Sequence, residues 1–199
     1  YDPAKLCGSL SYDPMGSMMR HGVKRDLADA KRLVEIFTPF KNFRCLTATP
    51  RLLSDSGAYC YQELGYALAW GNEYLRALTE AGIEAGAVAK KIYFNFGIGS
   101  NYFMEIAKFR AARMLWAKIV EAYKPEYNDE DADDSNCLSA CKMSINATTS
   151  KYNLTLFDPY VNLLRSQTEA MSAAIAGVNS ITVTPFDSIY QEPDRKSVV

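Results

Sequence analysis

The sequence predicts an α/β protein whose short strands alternate with longer helices over a parallel sheet. Three observations carry that prediction. Five short segments are rich in β-branched and aromatic residues, four longer segments between them carry apolar residues at helical spacing, and the order is strictly strand, helix, strand.

The strands are expected over residues 6–12, 43–49, 91–98, 141–148 and 180–184. The first helix, over 26–37, places Leu27, Ala30, Leu33, Val34 and Phe37 three and four apart. The second, over 57–81, repeats the stripe with Cys60, Leu64, Ala67, Leu68, Gly71, Tyr74, Leu75 and Leu78, and Gly82 supplies its stop. The third, over 101–123, carries Phe103, Ile106, Ala107, Met114, Leu115 and Ile119. The fourth starts at Asp158-Pro159-Tyr160, where a carboxylate can cap free N–H groups and proline loses no donor. Its stripe is Val161, Leu164, Met171 and Ile175, and Gly177 ends it.

A closed (β/α)8 barrel takes about 250 residues and eight such units. Five strands and four crossovers in 199 residues fit an open doubly wound sheet, or the larger part of a barrel. The chain opens on Tyr1 rather than Met, and both ends read as cuts.

Composition narrows the function. Apolar residues make up 48% and charged residues 23%, a globular balance far from disorder. Twenty-two Lys and Arg against 23 Asp and Glu leave no basic surplus for nucleic acid. No apolar run approaches the roughly 18 residues of a membrane span. Five cysteines form no even framework and no secretory signal is evident, so reduced thiols and a cytoplasmic location are expected. The acidic stretch 124–139, with Asp129, Asp131 and Asp133, is expected as a solvated surface loop. It lacks the glycine and glutamate of a calcium loop.

Candidate chemistry is sparse. The single histidine, His21, excludes a paired-histidine metal site, and it is placed in a loop before the first helix. Cys137 and Cys141 have no partnering pair, so no metal is expected. Gly97, Gly99 and Ser100 follow a strand and open a helix, the setting of a phosphate-cradling turn, but Tyr102 replaces the third fingerprint glycine. Tight packing at the turn is the stronger reading. Ser144, Asn146, Thr148 and Ser150 alternate along the fourth strand, so they share one face and line a candidate substrate channel. None of the four is a general acid or base near neutral pH.

Residues 95–108 (Asn-Phe-Gly-Ile-Gly-Ser-Asn-Tyr-Phe-Met-Glu-Ile-Ala-Lys) and 110–117 resemble the methylmalonyl-CoA mutase family. The resemblance continues in Thr149-Ser150, Asp158-Pro159-Tyr160, Arg165, Thr168-Glu169-Ala170, Ser180-Ile181-Thr182-Val183 and Pro185-Phe186-Asp187, with Gly57-Ala58 and Gln62-Glu63-Leu64 as a third block. Gly8-Ser9 with Tyr12-Asp13-Pro14-Met15-Gly16 is most similar to the small, non-catalytic subunit.

The resemblance implies a (β/α)8 TIM-type barrel, present here as an incomplete barrel of about five strands and four helices. Residues 1–199 would then be part of one barrel domain whose axis admits the pantetheine arm of coenzyme A. It also implies that catalytic chains carry Arg-Thr-His before Thr-Ser, the histidine meeting the substrate thioester. Here the aligned run is Ser144-Ile145-Asn146, so no catalytic residue is expected and Asn146 stands at the histidine position. The family's cobalamin motif Asp-x-His-x-x-Gly is absent, His21 having Met19 two residues before it and Lys24 three after. No cobalamin-binding domain and no cofactor are therefore expected in this chain, with adenosylcobalamin belonging to the full complex.

The implied role is to pair, as a heterodimer, with the catalytic large subunit that interconverts methylmalonyl-CoA and succinyl-CoA. Self-association through open strand edges is also expected. The alternatives are the barrel of an active acyl-CoA mutase and an unrelated CoA-thioester-binding barrel.

Overall fold

The computed structural model describes residues 6–23, 26–125 and 139–192. The predicted acidic loop 124–139, apart from its ends, and Cys137 lie outside the described residues. No described helix is long and apolar enough to cross a membrane.

The described elements run β1 (Gly8–Tyr12), α1 (Pro14–His21), α2 (Leu27–Phe37), β2 (Phe43–Ala48), α3 (Arg51–Asp55), α4 (Cys60–Glu80), α5 (Ala85–Lys91), β3 (Ile92–Ile98), α6 (Tyr102–Ala122), β4 (Ile145–Thr149), α7 (Val161–Ala176) and β5 (Ser180–Thr182). The sheet order is β1-β2-β3-β4-β5. β1 with β2, β2 with β3 and β4 with β5 pair in parallel. Between β3 and β4 the bonds run from Phe94 N to Ser144 O and from Ser150 N to Ile98 O, an ascending register that is also parallel. Parallel strands joined in consecutive order by helices wind in one direction, as in a (β/α)8 barrel. A doubly wound sheet reverses its order partway. The fold is an incomplete TIM-type barrel.

The chain divides into two compact units, residues 1–49, 66–94 and 112–144 in the first and 50–65, 95–111 and 145–199 in the second. The first has an aromatic and aliphatic core. Phe94 meets Trp116 edge to face at 4.9 Å between ring centroids, and Tyr74, Leu75 and Leu78 of α4 are buried with them. Tyr74 donates its hydroxyl to Asp13 Oδ1 at 2.8 Å and accepts from Trp70 Nε1 at 3.0 Å. Asp13 also caps α1 by accepting from Gly16 N. In the second unit Phe96 of β3 packs on Phe109 of α6, and the opposite face of the strands carries Asn95, Asn146 and Thr148.

Several local expectations are corrected. Three further helices, α1, α3 and α5, are present, and His21 ends α1 instead of lying in a loop. Asp13 followed by Pro14 is the signal that starts α1. β4 begins at Ile145, because residues 139–141 form a 3-10 turn. α7 begins at Val161, and Tyr160 at its N-cap makes no side-chain bond. The Asp158 carbonyl accepts from Val161 N, so residues 158–160 form a turn rather than the first helical positions.

The α6 and α7 stripes are also corrected. α6 buries Glu105, Lys108, Phe109, Ala112, Trp116 and Val120, while Phe103 is 80% exposed and Met114 is exposed. An apolar reading misses a buried face that begins with a self-neutralising ion pair. α7 buries Asn162, Ser166, Glu169 and Ser172 and turns Leu164, Met171 and Ile175 outward. Of that inner face Asn162 and Glu169 bond to the loop before it, Ser172 bonds back to the Glu169 carbonyl, and Ala173 and Ala176 are buried beside them. The stops at Gly82 and Gly177 are as expected, with φ of 92° and 71°.

Candidate functional site

Apart from Ser144, which falls in the first unit, the expected site residues lie in the second unit, on β4 and at the ends of β3 and β4. Alternation along β4 and β5 puts Asn146, Thr148, Ser180 and Thr182 on one face, and Asn95 of β3 reaches the same place. Asn146 Nδ2 shares its two hydrogens among Asn95 Oδ1 at 3.0 Å, Thr148 Oγ1 at 3.2 Å and Thr182 Oγ1 at 3.3 Å. Its Oδ1 accepts from Ser180 Oγ at 2.8 Å. Thr148 Oγ1 donates to Asn95 Oδ1 at 3.0 Å. Both ends of the Asn146 amide are therefore committed to β3, β4 and β5. The network ties three strands in register, and none of its members titrates near neutral pH.

Ser144, Asn146, Thr148 and Ser150 are all buried, and so is every residue of β4 on either face. The structure joins Asn146 and Thr148 through Asn95, and places Ser150 elsewhere, beneath α7. Asn95, Ser180 and Thr182 were missed in the sequence. The available signal was the same two-residue alternation on the neighbouring strands.

The glycine turn is filled from within. Gly97 N donates to Glu63 Oε1 at 2.7 Å, and Gly97 O accepts from Lys108 Nζ at 2.8 Å. Lys108 also pairs with Glu63 Oε2 at 2.7 Å and with Glu105. A β-carbon on Gly97 would lie 2.6 Å from Ser54 Oγ, and one on Gly99 would lie 3.2 Å from Glu105 Oε1. A carboxylate of the protein thus occupies the anion position at Gly97, and close packing explains both glycines. Ser100 is exposed beside them. Burial opposes the Lys108 charge, but Glu63 and Glu105 outweigh it and hold the ammonium above its ordinary pKa.

The second carboxylate missed in the sequence is Glu169 of α7. Its Oε2 accepts from Ser150 N and its Oε1 from Asn153 Nδ2, each at 3.0 Å. Burial raises its pKa to about 7, against the pull of those two hydrogen bonds.

The one imidazole of the chain, His21, is exposed at the end of α1, and no group of three His, Cys, Asp or Glu able to hold a metal ion occurs among the described residues.

The family model for methylmalonyl-CoA mutase matches residues 1–199. The chain is 52% identical over 195 residues to the methylmalonyl-CoA mutase small subunit of Porphyromonas gingivalis, covering 97% of this chain and 30% of that protein. It is 35% identical over 191 residues to the small subunit of Streptomyces virginiae, covering 94% and 29%. To the large subunit of the same organism it is 32% identical over 197 residues, covering 96% and 26%. The chain spans less than a third of the length of these relatives. With the consecutive parallel βα winding and a match along its whole length, the chain belongs to the methylmalonyl-CoA mutase family.

Proposed function

We propose that this chain is barrel material of the small subunit of an adenosylcobalamin-dependent methylmalonyl-CoA mutase. Residues 1–199 form part of one barrel domain, without a cobalamin-binding domain. Its work is to pair with and stabilise the catalytic large subunit that interconverts methylmalonyl-CoA and succinyl-CoA. The cofactor and the chemistry belong to that partner. Reduced thiols at Cys7, Cys45, Cys60 and Cys141 suit a cytoplasmic heterodimer.

The observation that carries this reading is the state of Asn146. By resemblance it stands where catalytic chains hold a histidine toward the thioester, yet its amide is spent on Asn95, Thr148, Ser180 and Thr182. A group saturated by its neighbours is a poor donor to a developing charge, since each new bond displaces an existing one. The polar row Ser144, Asn146, Thr148 and Ser150 is then the remnant of a substrate channel, and Gly97, Gly99 and Ser100 form a packed turn at the barrel mouth. The higher identity to a small subunit points the same way.

The test is co-expression with a catalytic large subunit, followed by separate titrations of this chain with adenosylcobalamin and with methylmalonyl-CoA. Co-purification with the large subunit and no saturable binding of either small molecule is the expected result. Tight binding of both by this chain alone would overturn the assignment.

A further inference from the structure

Residues 150–160 carry the chain from β4 to α7, and three side chains on one face of α7 fasten the first part of that loop. Asn162 accepts from Thr155 N at 2.9 Å and donates to Thr155 O at 2.9 Å. Arg165 Nη1 donates to Asn153 O at 2.6 Å. Glu169 accepts from Ser150 N and from Asn153 Nδ2, both at 3.0 Å. Positions 162, 165 and 169 are three and four residues apart, which on a helix is one line.

The three ties differ in one chemical respect. An amide has no proton to lose near neutral pH and a guanidinium keeps its charge, so only the carboxyl tie changes state in that range. Glu169 is 3% exposed. The charged groups that face it are Glu105 of α6, which repels an ionised carboxyl, and Arg165 of its own helix, which attracts one. Arg165 commits Nη1 to a backbone carbonyl, and Lys108 is taken by Glu63 and Glu105. The two neutral donors from the loop thus work against burial and a like charge.

We infer that Glu169 is a proton-responsive latch: neutral, it lets the loop after β4 rest on α7, and ionised, it favours the loop's release. The neutral acid fits the closed arrangement. Turning the Asn153 amide over presents its Oδ1 to the acid proton, while Ser150 N keeps the other oxygen.

The direction follows from linkage. Closed, Glu169 titrates at about 7. Released into water, it returns to the ordinary carboxylate range. Between those values the closed state holds a proton that the open state lacks. Closure is therefore strongest below the ordinary carboxylate pKa and weakens as pH rises through 7. One proton of linkage amounts to an about tenfold loss of the closing equilibrium between pH 6 and pH 8.

Hydrogen exchange on the full chain, corrected for the intrinsic pH dependence of amide exchange, reads this directly. Peptides covering residues 150–157 are expected to lose about tenfold in protection from pH 6 to pH 8. In Glu169→Gln the same peptides are expected to show no such slope, while β3 peptides behave alike in both proteins. A flat wild-type profile, or a slope that survives in Glu169→Gln, overturns the latch. Should Glu169→Gln fail to fold, Glu105→Gln serves instead. It removes the like charge that opposes ionisation of Glu169, so the midpoint should move to lower pH, and an unmoved midpoint overturns the proposal.

Discussion

Lys108 Nζ lies 2.7 Å from Glu63 Oε2 with both side chains 1% exposed. Glu105 joins the same ammonium, so one buried cation serves two buried carboxylates and the Gly97 carbonyl. This arrangement fixes α4 and α6 against the end of β3 within the second unit.

Removing the cation should therefore cost more than removing the pair. Lys108→Met leaves Glu63 and Glu105 buried together without compensation, and about 3–5 kcal/mol of stability should be lost. Adding Glu63→Gln and Glu105→Gln to that variant should recover more than half of the loss, because neutral amides carry no buried charge and can still accept from Gly97 N. Urea unfolding of the three proteins checks this. A single variant as stable as the parent would show that the triad is not closed as described.

Gly71 of α4 faces the Phe94 and Trp116 rings, and a β-carbon there would lie 2.6 Å from an atom of each. Alanine at a helix interior gains up to about 1 kcal/mol in propensity, while overpacking a core costs about 1–3 kcal/mol. Because both close atoms belong to rings locked edge to face, the packing cost should win. Gly71→Ala is expected to lower the thermal midpoint, and a raised midpoint would show that the rings give way.

Asn146→His supplies the side chain that the resemblance implies for the family's catalytic chains. No isomerisation of methylmalonyl-CoA by the chain alone is expected from it, with or without added adenosylcobalamin. One donor near a thioester can lower a barrier by about 3–4 kcal/mol only where the reacting species already exists. The substitution should also cost about 1–3 kcal/mol, since the buried Thr148 loses a partner. A coupled assay for succinyl-CoA and a denaturant titration separate the two effects. Turnover above a protein-free control would place the deficit elsewhere.

The strands were legible from β-branched runs separated by helix-length spacers, but their order was not, because the same spacing fits a doubly wound sheet and a barrel. α4 buries Ala67, Gly71, Tyr74, Leu75 and Leu78 of its expected stripe together with Glu63 and Trp70, which the stripe left out, and α6 begins its buried stripe with Glu105 and Lys108, which periodicity assigns to solvent. In the site, alternation sufficed to put Asn146 and Thr148 on one face, while Ser150 lies beneath α7. Their partner Asn95 was not readable, because a lone polar residue between Phe94 and Phe96 gives no hint of which strand it faces. Glu169 was hidden for the same reason as Glu105: a buried carboxylate is recognisable only once its donors, here Ser150 and Asn153, are brought to it by the fold.

α7 presents Leu164, Met171 and Ile175 outward at 64%, 49% and 51% exposure, spaced seven and four residues apart on one face. All three residues of β5 are exposed, and within the sheet β5 pairs with β4 alone. An apolar helical stripe and an exposed strand at the end of the sheet each favour association with another polypeptide. The 199-residue chain should therefore self-associate as its concentration rises. Leu164→Glu combined with Ile175→Lys should weaken that association, and because both positions face water it should change the unfolding free energy by no more than about 0.5 kcal/mol. Sedimentation velocity across a concentration series decides the matter. A single monomeric species throughout, or equal association by the double variant, would assign the stripe no part in assembly.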